Sequence, residues 1–152
     1  MNTYITFTKK RIIATLAIFI CVGLVCCELY AAANKTPNAK TNADRLIFIK
    51  RLGYTITQES LTAKTVTIPE VFYDVYKNYN TLQQKGGYDL SDYKGCTVTL
   101  YTYKINTPKG YKGECAINII VYNDRIIGGD ISSAALDGFM LPLKAENEKT
   151  KN

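Results

Sequence analysis

The stretch "ECAINIIVYNDRIIGGDISS", residues 114–133, decides the fold. β-Branched and aromatic residues crowd both halves, as strands prefer. Between them Asn123 and Asp124 are residue types that tolerate positive φ, which a two-residue hairpin turn requires. With Tyr122 facing Arg125, the pairing predicts Val121 opposite Ile126, Ile119 opposite Gly128 and Ile117 opposite Asp130. The upstream run "GCTVTLYTYKIN", residues 95–106, reads as the neighbouring strand. Placing Ile105 opposite Glu114 sets Val98 against Val121, Leu100 against Ile119 and Thr102 against Ile117, which gathers one apolar face over three strands. Tyr101 and Tyr103 fall on the other face, where a covering helix is expected before a ligand.

The rest of the domain is read outward from this meander. "YTITQES" and "KTVTIP" alternate with period two and predict two short strands with a hairpin across "LTA". Thr41 or Asn42 caps a helix through "ADRLIFIKRL", with Leu46, Ile49 and Leu52 on its apolar side and Gly53 past its end. Pro69 opens a second helix, "EVFYDVYKNYNTLQQK", because its missing N–H costs nothing there. Val71, Phe72, Val75, Tyr76, Tyr79 and Leu82 share its apolar arc, and Asp74, Lys77, Asn78, Asn80 and Thr81 its polar arc. Gly86 and Gly87 stop it. In this register Cys115 faces Lys104, and Cys96 lies eight residues further along its strand, about 26 Å away at ~3.3 Å per residue. A disulfide allows ~7 Å between Cα atoms, so none is expected between them.

The N-terminus has a different character. "KKR" at 9–11 precedes sixteen uncharged residues, "IIATLAIFICVGLVCC", then Glu28 and "LYAAA". The run 12–33 is long enough for a membrane anchor that keeps residues 1–11 in the cytoplasm by the positive-inside bias. A cleaved signal peptide is the alternative, since Ala31 and Ala33 form a small-x-small site. Either way the expectation is a polar linker at 34–43, an extracytoplasmic domain at 44–143 and a polar tail at 144–152. Beyond residue 33 there remain 16 basic and 12 acidic residues, a net charge of +4, dispersed rather than gathered in a stripe. No nucleic-acid footprint is present. The expected partners are the membrane, through the N-terminal helix, and an envelope protein or polymer.

The stretch that looks most like chemistry is "RIIGGDISSAALDGFM", residues 125–140. Gly128 and Gly129 read as a close approach and a bend at a strand end. Asp130 reads as the cap of a short "ISSAALD" turn, accepting from the N–H groups of Ser132 or Ser133, with Phe139, Met140 and Leu141 as a plug. The same free N–H groups make Gly129, Asp130, Ser132 and Ser133 the candidate binding residues, for an anion. The remaining inventory excludes. The chain has no histidine, so the commonest general base and metal ligand are missing. The two domain cysteines lack zinc spacing, and no phosphate-loop signature occurs. No metal, cofactor or catalytic residue is expected. An acid pair of Asp130 and Asp137 leaves glycoside hydrolysis formally open.

"YNTLQ", "YDLSDYKG", "YTY" and "RIIGGDISSAALDGFM" together resemble the domain-of-unknown-function 4830 family, small bacterial proteins often preceded by an N-terminal membrane segment, over about residues 44–143. The resemblance implies no activity and carries over no functional residue. Cys96 and Cys115 depart from the family's pattern. The combined expectation is an α+β domain: an antiparallel sheet of four or five strands with two helices on one face, preceded by one membrane helix. Its expected role is a non-catalytic interaction or sensing module. A secreted binding or inhibitor protein is the alternative, and a small acid-dependent hydrolase the third reading. One consequence is directly measurable. A tag fused after Asn152 is expected to be cleaved by protease added to intact cells, and its protection would contradict export.

Overall fold

A computed structural model describes residues 18–23, 36–133, 135 and 138–144. The chain divides into two compact units, residues 1–35 and 36–152. In the first, residues 18–23 are helical. Among the described residues no helix is long and apolar enough to cross a membrane. The rest of the expected membrane helix at 12–33, the tail from 145 onward and Asp137 lie outside the described residues.

The second unit is α+β. Helix α1 spans Asn42–Arg51 and α2 spans Asp74–Lys85, with a short 3-10 turn at Leu90–Tyr93. The strands are β1 Ile56–Thr67, β2 Thr97–Ile105, β3 Cys115–Tyr122, β4 Arg125–Ser133 and β5 Met140–Pro142. They form one antiparallel sheet in the order β1-β2-β3-β4-β5. The Asn123-Asp124 turn stands, with φ of 46° and 61°, and Tyr122 faces Arg125 as expected.

The β2–β3 register is shifted by one residue from the expected pairing. Ile105 pairs with Cys115, not Glu114, so Tyr103 faces Ile117 and Tyr101 faces Ile119, while Leu100 faces Ile120. A bulge between Ile120 and Val121 moves the next strand as well: Ile119 pairs with Gly129 and Ile117 with Ile131. Both apolar sets now bury. Tyr103, Ile117, Ile119, Val121, Ile126 and Ile131 form one cluster with Phe48 and Ile49 of α1. Val98, Ile120 and Ile127 form the other with Ile68 and Leu90, against Phe72, Tyr76 and Tyr79. One helix therefore covers each face. The expectation of two helices on one face is overturned because Ile119, Ile120 and Val121 are consecutive: a strand apolar at successive positions carries a core on both sides.

Helix α1 begins in a capping box: Asp44 N–H donates to Thr41 Oγ1 at 3.1 Å and Thr41 N–H to Asp44 Oδ2 at 2.9 Å. The hydrogen bonds from Thr41 hold the Asp44 carboxyl below its usual range. Its buried residues are Arg45, Phe48 and Ile49, and Leu46 points outward against the expected pattern. Arg45 is the reason. Its Nε donates to Tyr103 Oη and its Nη1 to the Ala39 carbonyl, both at 2.8 Å, and its guanidinium lies 3.7 Å from the Tyr101 ring centroid. Two hydrogen bonds and a ring face thus partner the buried cation, as burial demands. Tyr101 and Tyr103 are thus covered by a helix. The polar stretch expected as a linker joins the fold from Thr36: Ala39 is buried, and Pro37 and Ala39 make backbone hydrogen bonds to Ile126 and Asp124.

The segment 56–67 is one strand, not a hairpin. Both halves pair with β2, and between the pairs Gln58–Lys104 and Thr62–Thr102 three residues of β1 stand against Tyr103 alone. An edge strand accommodates such an irregularity without disturbing a second neighbour. Cys96 and Cys115 are free thiols, as expected. Gly129 lies where an added Cβ would overlap the Asn118 carbonyl oxygen, a backbone atom that cannot swing aside. Gly129→Ala is expected to destabilise the domain by ~1–3 kcal/mol, as forced overpacking does, measured by chemical denaturation; an unchanged midpoint would count against this strand pairing.

Candidate functional site

The four candidate residues do not form a helix entrance. Gly129, Asp130, Ser132 and Ser133 are all part of β4, so the expected N-cap is not formed. Asp130 sits mid-strand between Asn118 of β3 and Pro142 of β5. Its side chain is on the α2 face, opposite in sense to Ile131 in the α1-side core. There Tyr79 Oη donates to Asp130 Oδ2 at 2.9 Å and Asn118 Nδ2 to Oδ1 at 2.8 Å. Asn118 Nδ2 also reaches Ser132 Oγ at 3.2 Å, and Thr102 Oγ1 donates to Asn118 Oδ1 at 2.7 Å. The chain of bonds crosses β2, β3 and β4 and ends on the helix. Ser133 serves the turn to β5: its Oγ accepts from Ala135 N–H at 3.3 Å and its N–H donates to the Phe139 carbonyl at 3.1 Å. Phe139 and Leu141 pack partly against the α1-side core, while Met140 is exposed, so the expected plug is a short edge strand with one residue turned out.

A second bond ties α2 to the same strand. Gln83 is fully buried, and its Oε1 accepts the Gly129 N–H at 2.7 Å. The carboxamide fits because Gly128 lacks a side chain; an added Cβ there would lie 2.7 Å from Gln83 Oε1. Gln83 Nε2 has no hydrogen-bond partner among the described residues. One turn earlier Asn80 is also buried, donating to Asp89 at 2.9 Å and accepting the Leu90 N–H at 2.8 Å. Hydrogen bonds from Ser91, Asn80 and Gln84 hold the Asp89 carboxyl far below the usual range. Asn80, expected on the polar arc, is inside because the 3-10 turn supplies its partners.

These facts make the Asp130 cluster a clamp between helix and sheet. Asp130 is 3% exposed, too covered for a substrate to reach. Burial raises its pKa, with the hydrogen bonds from Asn118, Tyr79 and Ser132 opposing the shift. Burial first, and then the neighbouring Asp130 charge, push the Tyr79 phenol well above its usual range.

The exposed chemistry lies elsewhere. The stripe of α2 that faces the sheet is Tyr76, Tyr79, Asn80 and Gln83, continued by Phe72 before the helix. Val71 and Val75, expected on that stripe, are 54% and 84% exposed, and Tyr73 is 77% exposed. The helix begins at Asp74 rather than just after Pro69, with Tyr73 extended at its N-cap, so residues 69–73 do not continue the helical period. Pro69, Val71, Tyr73, Asp74, Val75 and Tyr76 line an open, mostly apolar cavity of about 520 Å³. No signal in the helical periodicity marks these residues as surface, because their apolar spacing matches a core face. Other cavities are smaller and more polar. One of about 360 Å³ is bounded by Thr57, the Lys104–Glu114 ion pair and Cys115. One of about 330 Å³ is bounded by Tyr88, Asp89, Asp92 and Tyr93.

Architecture and surface together define a small α+β domain with a buried polar cluster between helix and sheet and an exposed apolar patch. Residues 48–131, more than half of the chain, match the family model described as Domain of unknown function (DUF4830), and the protein belongs to that family. Comparison with curated proteins and with solved structures finds no match.

The raised pKa of Asp130 has a signed consequence. A carboxyl whose folded pKa lies above its ordinary 3.8 binds its proton more tightly when folded, so its stabilising contribution is full below 3.8 and is lost as pH rises through the folded value. The stability difference between wild type and Asp130→Asn, from urea denaturation at pH 7 and pH 4.5, is therefore expected to shift in favour of wild type at the lower pH. A difference independent of pH would contradict the assignment.

Proposed function

We propose that the protein is a non-catalytic interaction module of the bacterial envelope, and that its binding surface is the apolar patch formed by Pro69, Val71, Tyr73, Val75 and Tyr76. The observation that carries this reading is the concentration of large exposed apolar residues in one short stretch, Val71 to Val75, beside an open cavity. Single exposed apolar residues are ordinary, whereas contiguous patches mark interaction sites. The reading as a module rather than an enzyme is supported by the burial of Asp130 and by a sequence without histidine. A place outside the cytoplasmic membrane, held there by the N-terminal segment, is supported by "KKR" ahead of the apolar run at 12–33. The Ala31-x-Ala33 site supports the second reading, a released binding protein, which would use the same surface.

The test is site-specific photo-crosslinking in cells that express the protein. A photoreactive residue at Val75 is expected to give an adduct of discrete size that Val71→Asp abolishes. The same residue at Thr81, exposed on the same helix, is expected to give none. Equal labelling from the two positions, or none from Val75, would overturn the proposal. Both positions are exposed, where substitutions cost little, within about 0.5 kcal/mol, so loss of fold does not confuse the result.

A further inference from the structure

We infer that the partner seated at this patch is an extended polypeptide segment that joins the sheet as a sixth strand along the free edge of β1. The inference rests on the reading of Pro69–Tyr76 as the binding surface and adds the occupant's chemistry. β1 is an edge strand, and no described strand pairs with its outer side. From Thr62 to Thr67 it pairs with β2 without interruption, Thr62 to Thr102 through Thr67 to Thr97, so this part is regular. All six residues are exposed; four are β-branched and none is proline. Every second N–H and C=O along such a strand points away from β2, and the ligand that satisfies that row is another extended backbone.

The opposite edge of the sheet is closed to the same use. β5 has three residues, one of them Pro142, and the backbone of Leu143 lies against Gly86 at the end of α2. Short length and proline are the usual means of blunting an edge. The irregularity between Gln58 and Thr62 limits the usable part of β1 to its second half, about 20 Å at ~3.3 Å per residue.

Position and charge specify the added strand further. Lys64 pairs with Leu100 and Val66 with Val98, so both side chains stand on the α2 face, the face that carries the apolar patch. Pro69, the first residue of the cavity, follows Thr67 by two positions. A strand added along Thr62–Thr67 sets alternate side chains beside Lys64 and Val66, and its continuation past Thr67 delivers a large apolar side chain into the 520 Å³ cavity. Lys64 is the only charged residue among the six. Opposite charges directly across a strand pair stabilise it and like charges oppose it, so the complementary residue is acidic. The occupant is therefore a segment of a partner protein with an acidic residue and an apolar residue on one face and a bulky apolar anchor beyond them.

The test pans a phage-displayed library of random linear twelve-residue peptides against the full chain in detergent micelles, then measures the selected peptides in synthetic form. The expected peptides carry an acidic residue near an apolar anchor. Methylating their backbone nitrogens one at a time is expected to alternate, with about tenfold or greater loss at every second position and little at those between. Binding should also slow hydrogen exchange at alternate amides of Thr62–Thr67. Selection against Lys64→Glu should recover basic residues in place of the acidic one. Peptides weakened by Val75→Asp yet tolerant of every single methylation would overturn strand addition and leave the surface reading standing. Peptides indifferent to Val75→Asp would overturn both. The inference also fails if no peptide is selected, and then self-association in sedimentation identifies a second copy as the occupant, or retention on phosphatidylglycerol vesicles identifies a membrane.

Discussion

Two hydrogen bonds between α2 and β4 set the geometry on which the rest depends: Tyr79 to Asp130 and Gln83 to the Gly129 N–H. An amphipathic helix resting on a sheet through apolar contacts alone has rotational latitude, since neighbouring apolar residues can exchange places on the stripe. Directional bonds at two positions one helical turn apart remove that latitude. They require Gly128 and Gly129 beneath the helix, because Cβ atoms there would meet the Gln83 amide and the β3 backbone. Once Tyr79, Asn80 and Gln83 are turned inward, Val75 is carried outward. The exposure of Val75 is thus a consequence of how the polar clamp orients the helix, and Val71 and Tyr73 are exposed in the extended segment before it.

The two faces of the sheet are held by different means. On the α1 face the core mixes aliphatic residues with Phe48, Tyr54 and Tyr103, and Arg45, held by Tyr103, Ala39 and Tyr101, ties the helix to it. On the α2 face aromatic rings lie in series, Phe72 to Tyr76 at 5.0 Å and Tyr76 to Tyr79 at 6.0 Å between centroids, and the series ends in the Asp130 cluster. That cluster is a polar island under a helix. Its carboxylate is stabilised by donors from two elements and disfavoured by burial, which is why it is bonded on both oxygens. Removing one partner would leave the other group buried and unpaired, which generally costs more than the bond's net value.

Among the described residues the sheet has one blunted edge and one unpaired edge, and the asymmetry falls on the same side as the apolar patch. β1 ends two residues before the cavity begins, and the face of β1 that carries Lys64 and Val66 is the face that α2 covers further along the sheet. Backbone hydrogen-bonding capacity and an apolar pocket thereby become neighbours. In peptide recognition by strand addition, backbone groups of the first kind supply affinity without regard to sequence and pockets of the second kind supply selectivity.

Local signals in the sequence determined the α+β class, the meander, the Asn123-Asp124 turn, the Thr41 cap of α1 and the free state of the two domain cysteines. Each of these rests on residues near one another in the chain or on the reach of an extended strand. The β2–β3 register, the bulge at Ile120 and the placement of one helix on each face were decided only in three dimensions. A strand whose apolar residues run consecutively, as Ile119, Ile120 and Val121 do, satisfies two pairings equally well by pattern, and the pairing is settled by what stands above and below it. The candidate site shows the same division. "GGD" was legible as a special backbone and Gly128 as a place of close approach, but Asp130 became a clamp rather than a cap because Tyr79 and Asn118, 51 and 12 residues away, supply its donors. Val71 and Val75 carry the spacing of a core stripe, but Val71 precedes the helix, and Val75 is turned to solvent by the bonds that Tyr79 and Gln83 make across the sheet, since helical periodicity records which residues share a face but not which face the tertiary contacts select.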